Sequence, residues 1–216
     1  MSFDPLTMAG LVTREVRSGV RDGAATRIAI ARRAYRASQA DLWDALTSAD
    51  RIGRWFVPVS GDLRAGGRYQ LDGNAGGLVE RCQAPESFTV TWEFGGTLSW
   101  LEVTLFPAGD STTLELAHHA PADPGRWGQF GPGAVGVGWD LALLGLGRHL
   151  DGGAPVDPKE AAAFATSPDA AELIRLAAAG WADAAIADGD EVGQARQAAA
   201  RTVAFYTGTA GPADAS

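Results

Sequence analysis

Two side chains of types that transfer protons fall where the sequence predicts burial. His118 comes near the end of a predicted strand, on its apolar face, and Asp140 lies within an apolar helical stretch. A histidine that faces a cavity can act as a general acid or base, or donate a hydrogen bond to a ligand. A buried carboxylate needs a shifted pKa or a partner, which Arg33, Arg54 or Arg68 could supply. For both residues a purely structural role stays open.

The sequence contains none of the common catalytic or cofactor motifs. It has no Gly-x-Ser-x-Gly, no His-Glu-x-x-His and no cluster of cysteine and histidine. The spacing Gly131-x-Gly133-x-x-Gly136 matches the dinucleotide fingerprint by letter, but that motif needs a preceding parallel strand. The lone Cys82 excludes an internal disulfide and a multi-cysteine metal site. We therefore predict no cofactor and no metal, and we identify no catalytic residue.

The overall composition is that of a globular protein with an acidic surface. The chain has 216 residues, of which 46% are hydrophobic and 20% charged, and a net charge of −8. An acidic balance without basic runs argues against nucleic-acid binding. No window has the apolar length of a membrane span, and the first ten residues do not resemble a signal peptide. We expect a cytoplasmic protein that does not insert into membranes.

A meander of antiparallel strands is predicted between residues 59 and 119. Apolar residues alternate with a period of two there, and the connections are too short for parallel crossovers. Two further strands are expected at 12–18 and 26–35, followed by a helix with Ser38 as its N-cap. The inward face of the meander is predicted to carry Val90, Trp92, Leu101, Val103 and His118.

One long helix, predicted over residues 132–150, follows the meander. Ala134, Gly138 and Ala142 recur every four residues, so they lie on one helix face. Small residues there either bring the helix close to the sheet or leave room for a ligand, although glycines also lower helix stability. A neighbouring stripe is predicted to contact the core: Trp139, Leu143, Leu146 and Leu150.

The remainder of the chain is predicted to be helical. After a linker, helices are expected at 158–166, 168–187 and 190–206. We divide the chain into an N-terminal arm or hairpin at 1–25, a main domain at 26–150 and a helical C-terminal extension at 151–216.

The order of strand, helix, meander and long helix is that of the helix-grip fold. Four motifs sharpen this: Arg33-x-Tyr35-x-Ala37, Trp43-Asp44-Ala45-Leu46-Thr47, Arg54-Trp55-Phe56 and Thr91-Trp92-Glu93. With them the chain resembles the START-like (SRPBCC) superfamily, in the branch related to the C-terminal domain of the Hsp90 ATPase activator Aha1. The glycine-rich segments 73–77 and 131–140, with the helical tail, are similar to a bacterial, actinobacterial-type subgroup.

The resemblance implies an α+β fold with an antiparallel sheet wrapped around a long helix. Members commonly enclose a hydrophobic ligand between the sheet and that helix, and some are polyketide cyclases. The Hsp90 role belongs mainly to eukaryotic members with an additional N-terminal domain, so we do not expect it here. We predict binding of an apolar small molecule by Trp55, Phe56, Tyr69, Trp92, His118, Trp139 and Leu143.

Two other functions remain open. The same cavity could serve a polyketide cyclase-like or hydrolase-like enzyme, in which His118 and an acidic residue move protons. Trp100 is predicted on the outer face of the sheet, where the C-terminal helices or a second subunit would cover it. The outer face therefore allows a protein–protein interaction module or a homodimer.

Overall fold

The structure is a computed structural model that describes residues 4–152, 155 and 157–209. Its helices are α1 (Pro5–Gly10), α2 (Gln39–Thr47), α3 (Ala49–Trp55), α4 (Pro124–Phe130), α5 (Gly133–Gly152), α6 (Pro158–Ala165), α7 (Pro168–Ala187) and α8 (Val192–Thr207). Its strands are β1 (Thr13–Arg21), β2 (Ala24–Tyr35), β3 (Val59–Gly61), β4 (Arg68–Leu71), β5 (Gly76–Gln83), β6 (Ser87–Phe94), β7 (Thr97–Ala108) and β8 (Ser111–Pro121).

The eight strands form a single sheet in the order β1-β2-β8-β7-β6-β5-β4-β3. Strands β3 to β8 pair as antiparallel neighbours. The long helix α5 follows the sheet in sequence, as the helix-grip order requires. The predicted α+β class and antiparallel sheet are confirmed.

The predicted inward face of the meander is confirmed by burial and register. Val90 lies opposite Leu101, and Leu101 lies opposite His118 in the neighbouring strand. All three side chains are buried. On the other face Arg32 of β2 forms an ion pair with Glu115 of β8. Because side chains alternate along a strand, the neighbours of these two residues point to the buried face.

Two short helices differ from the sequence-based expectation. The arm or hairpin expected at 1–25 contains helix α1, and α4 was not predicted at all. Both start with an aspartate followed by proline: Asp4 and Asp123 cap the first backbone N–H groups, and proline occupies the first turn. Each helix is too short to show an apolar period, so only the cap could have revealed it.

The chain forms two compact units. The first comprises residues 4–31, 122–141 and 157–209 of the described chain, and the second comprises 32–121, 142–152 and 155. Strand β2 and helix α5 each contribute to both units. The domain boundaries predicted from the sequence, after residues 25 and 150, stay a prediction.

Within the described part of the chain, no single helix is long and apolar enough to cross a bilayer. Only α4 and α5 taken together, with a bend of 57° between them, meet the criteria of length and composition.

Candidate functional site

Three residues of the second unit form a polar cluster on the buried face of the sheet. Trp92 lies opposite Ser99 in the register of β6 and β7, and His118 follows on β8. His118 Nε2 lies 3.0 Å from Ser99 Oγ, and the Trp92 and His118 rings meet edge to face at 6.0 Å. His118 is 3% exposed and Ser99 5%. The cluster therefore places hydrogen-bonding groups among buried apolar side chains.

The hydrogen-bond directions in this cluster fix the state of His118. The Ser99 hydroxyl donates to the carbonyl oxygen of Trp92 at 3.1 Å. A hydroxyl has one proton, so Ser99 must accept from His118, whose Nε2 then carries hydrogen. Burial, with a smaller contribution from His119, lowers the pKa of His118 from 6.5 to about 4. His118 is therefore a neutral imidazole near pH 7.

Tyr69 lies on the same buried face, opposite a glycine of the neighbouring strand. It lies opposite Gly77 of β5, and its hydroxyl donates to the carbonyl oxygen of Thr91 at 2.7 Å. A Cβ at position 77 would lie 2.1 Å from that oxygen, so a larger residue would block the bond. Burial raises the pKa of the Tyr69 phenol, with a smaller contribution from Glu93. Tyr69 is held as a neutral, fixed wall residue.

Trp55 and Phe56 lie where α3 ends, against the second half of α5. The Trp55 indole N–H donates to the carbonyl oxygen of Ala45 at 2.9 Å, and the Trp55 and Phe56 rings stack at 5.6 Å. The Trp55 carbonyl oxygen would lie 2.6 Å from a Cβ at Gly145. Both aromatic side chains remain half-buried.

Leu143 contributes a buried side chain and a backbone acceptor. Its side chain is 2% exposed. Its carbonyl oxygen accepts from Arg33 Nη1 and from the Tyr35 hydroxyl, both at 3.0 Å. These two donors come from β2 and join that strand to α5 within the second unit.

Trp139 and Asp140 belong to the other unit. Asp140 is 4% exposed and pairs with Arg14, whose Nε lies 3.2 Å from Asp140 Oδ2. The Trp181 indole N–H donates to the same oxygen at 2.6 Å. Asp140 thus forms a structural ion pair. Its partner is Arg14, which the sequence analysis had not considered.

The glycines of α5 are sites of close approach. A Cβ at Gly136 would lie 2.3 Å from the Trp181 ring, and one at Gly147 would lie 2.5 Å from Arg33 Nη2. At Gly138, the Tyr206 hydroxyl would be 3.0 Å away. Of the small residues that the sequence placed on one face, Gly138 thus packs closely against α8, a contact that neither interpretation had considered.

A cavity of about 230 Å³ lies in the first unit, where the sequence predicted no site. Trp127 and Phe130 of α4 line it together with alanines of α7 and α8. Asp190 accepts from the Trp127 indole N–H at 2.5 Å, and Arg201 donates to the Gln129 carbonyl oxygen at 2.6 Å. These bonds hold α4 beside the alanines. Only the unusual alanine content of the tail could have indicated this space.

Outside these clusters the chemistry is sparse. Among the described residues no group of three or more His, Cys, Asp or Glu side chains could hold a metal ion. On the outer face, His119 Nε2 lies 3.5 Å from Glu102 Oε2, and Trp100 is half-buried. His118 and His119 point to opposite faces, as their adjacency in one strand requires.

The antiparallel sheet followed by the long helix α5 defines a START-like protein of the helix-grip type. Residues 36–151 match the family described as "Activator of Hsp90 ATPase homolog 1-like protein". The chain belongs to this family, and the resemblance found in the sequence is confirmed. No curated protein matches the chain.

Solved structures agree with this assignment. The solution structure of CalU16 from Micromonospora echinospora is 32% identical with a TM-score of 0.67, covering 82% of this chain and 97% of CalU16. Its crystal structure gives 31% and 0.63, with 80% and 97% covered. DynU16, described as a protein of the dynemicin biosynthetic locus, is 21% identical with a TM-score of 0.52. That match covers 58% of this chain and 48% of DynU16, and it shows the fold alone.

Proposed function

We propose that this protein binds a small hydrophobic molecule between the sheet and α5. The ligand contacts would come from the second unit: Trp55, Phe56, Tyr69, Trp92, His118 and Leu143. The Trp92–Ser99–His118 cluster carries the proposal, since a few polar groups on an apolar wall are typical of ligand pockets.

The binding energy would come mainly from burial of apolar ligand surface, at roughly 25 cal/mol per Å². The neutral imidazole of His118 would orient the ligand without adding charge. Tyr69 and Trp55 already have their polar hydrogens bonded to backbone carbonyls, so they can present aromatic surface at no further polar cost.

A cyclase-like or hydrolase-like reaction is the alternative function. Serine-based hydrolysis would need His118 to accept the Ser99 proton, but that proton is directed to the Trp92 carbonyl oxygen. The observed bond directions therefore favour binding over this kind of catalysis.

Native mass spectrometry of the protein isolated from the organism that makes it tests the proposal. We expect a retained small molecule that is released when the protein unfolds. Trp92→Leu should lower the occupied fraction, whereas Trp100→Leu, on the opposite face of the sheet, should leave it unchanged.

A second measurement uses N-phenyl-1-naphthylamine, an uncharged fluorescent apolar probe. We expect it to bind the emptied wild type and to bind Trp92→Leu more weakly. A bare polypeptide mass from the native source, together with no probe binding, would refute the proposal.

A further inference from the structure

Arg33 is a buried cation without an acidic partner among the residues that the structure describes. It is 8% exposed, although guanidinium groups are rarely buried unless they are paired. Glu115 of the neighbouring strand β8 pairs with the preceding residue, Arg32, on the other face of the strand. Arg33 therefore stands out among the charged residues of the second unit.

The hydrogen bonds of Arg33 occupy only part of the N–H donors of its guanidinium group, the planar fork at the end of the side chain. Nη1 donates to the carbonyl oxygen of Leu143 at 3.0 Å. Nε is buried and has no hydrogen-bond partner within the described chain. The guanidinium carbon lies 5.0 Å from the centre of the Tyr35 ring, which adds a cation–π contact. A carbonyl and a ring compensate a buried charge less well than a carboxylate does.

The fold makes room for this guanidinium instead of excluding it. Gly147 removes the side chain that would collide with Nη2, and the Leu143 carbonyl oxygen is shared with the Tyr35 hydroxyl. Arg33 is thus held by its neighbours in a defined position against α5. A preorganised, incompletely paired fork is suited to an anion with two oxygens.

Arg33 also faces the ligand side of the sheet. Since Arg32 and Glu115 meet on the outer face, Arg33 shares the buried face with Leu114, Leu116 and His118. On that face His118 is neutral and Tyr69 is bonded to the backbone. Arg33 therefore brings a positive charge to this surface of the second unit.

We propose that the ligand of this protein carries an anionic oxygen group, such as a carboxylate, which binds the guanidinium of Arg33. The inference rests on the proposed function and names the ligand class of that same site: an apolar body with one acidic group. The anion would accept from the unused part of the fork, while Nη1 keeps its bond to Leu143.

Two fluorescent probes with the same aromatic body test this inference. 1-Anilinonaphthalene-8-sulfonate carries an anionic group, and N-phenyl-1-naphthylamine lacks it. Titrations should compare the wild type with Arg33→Met, which keeps an unbranched side chain and removes the charge. We expect Arg33→Met to weaken binding of the anionic probe about tenfold, the usual effect of losing a charged hydrogen bond. Binding of the neutral probe should change less than about twofold.

Arg32→Met, one residue along the same strand, is the matched control and should leave both titrations unchanged. Circular dichroism and urea unfolding verify that each variant is folded. Equal weakening of both probes, or no weakening of either, would mean that Arg33 only packs, and would overturn the inference. If neither probe binds the wild type, the apolar site is refuted and the recognition of an acid is refuted with it. If the wild type binds the neutral probe but not the anionic probe, the inference about Arg33 is overturned and the proposed function stands.

Discussion

Helix α5 carries one buried charge, Asp140, and contacts a second, Arg33, and the two are compensated in different ways. In the first unit, Asp140 accepts from the guanidinium of Arg14 and from the indole of Trp181. In the second unit, Arg33 donates to one carbonyl oxygen, and its buried Nε has no hydrogen-bond partner among the described residues. A buried charge with all its partners supplied by the chain supports the structure. A buried charge that is only partly compensated by the protein is suited to binding a charged group of a ligand.

The local sequence accounts for this difference. Gly136 lets the Trp181 ring pack directly on α5, where its indole N–H reaches Asp140. Gly147 lets Arg33 approach the same helix further along, where its Nη1 donates to the backbone oxygen of Leu143 and not to a carboxylate. One glycine of α5 thus makes room for a donor to the paired Asp140, and another makes room for Arg33, which donates to a carbonyl oxygen.

Removal of the paired charge should have the largest effect. Asp140→Asn leaves the Arg14 guanidinium buried without its anion, which typically costs about 3–5 kcal/mol. Urea unfolding followed by circular dichroism would measure the loss. A change below about 1 kcal/mol would show that Arg14 finds solvent, and the contrast with Arg33 would then disappear.

Acid should destabilise the fold through His118, an ionisable group on the same face as Arg33. Its pKa is about 4 in the folded protein and near 6.5 when unfolded, so the unfolded chain binds a proton first as pH falls. The contribution of His118 to the free energy of unfolding is present above pH 6.5 and is lost towards pH 4, by about 2 kcal/mol between pH 7 and pH 5. Unfolding at both pH values should show this loss in the wild type and not in His118→Gln. An equal loss in both would assign it to other groups.

The helix glycines allow a matched pair of substitutions. Gly136→Ala places a methyl group 2.3 Å from the rigid Trp181 ring, and should cost about 1–2 kcal/mol after the gain in helix propensity. Gly147→Ala meets the end of the Arg33 side chain, which has more rotatable bonds than an indole to absorb a small shift, and should cost less. Thermal or urea unfolding of the two variants would rank them. The reverse ranking would mean that Arg33 is held as rigidly as Trp181.

Arg33→Met should have the smallest effect on stability, below about 1 kcal/mol in either direction. Replacing an incompletely paired buried charge by an apolar side chain of similar length removes little and can even stabilise. The midpoint of urea unfolding checks this. A loss comparable to that of Asp140→Asn would make Arg33 a structural residue and would contradict the comparison.

The sequence revealed those parts of the fold that depend on local patterns. Alternation placed Trp92 and His118 on the buried face, and Ser38 was correctly identified as a cap, since it accepts from the Asp41 N–H at 3.2 Å. Such features need only neighbouring residues, so one sequence suffices.

The partners of the buried charges could not be predicted in the same way. Arg14 and Asp140 are separated by 126 positions, and nothing in the local pattern of either connects them. The charge of Arg33 was considered only as a possible partner for Asp140. Its parity with Ala29, Ala31 and Tyr35, all of them buried, was the signal that could have identified it as an inward charge. The ligand-binding set as a whole stays a prediction.

The anchor between β2 and α5 uses a main-chain oxygen, that of Leu143, and not its side chain. Every amino acid supplies the same oxygen at that position. Evolution can therefore exchange the residue at 143, and with it the side chain that we propose contacts the ligand, while the helix keeps its hydrogen bonds to the strand.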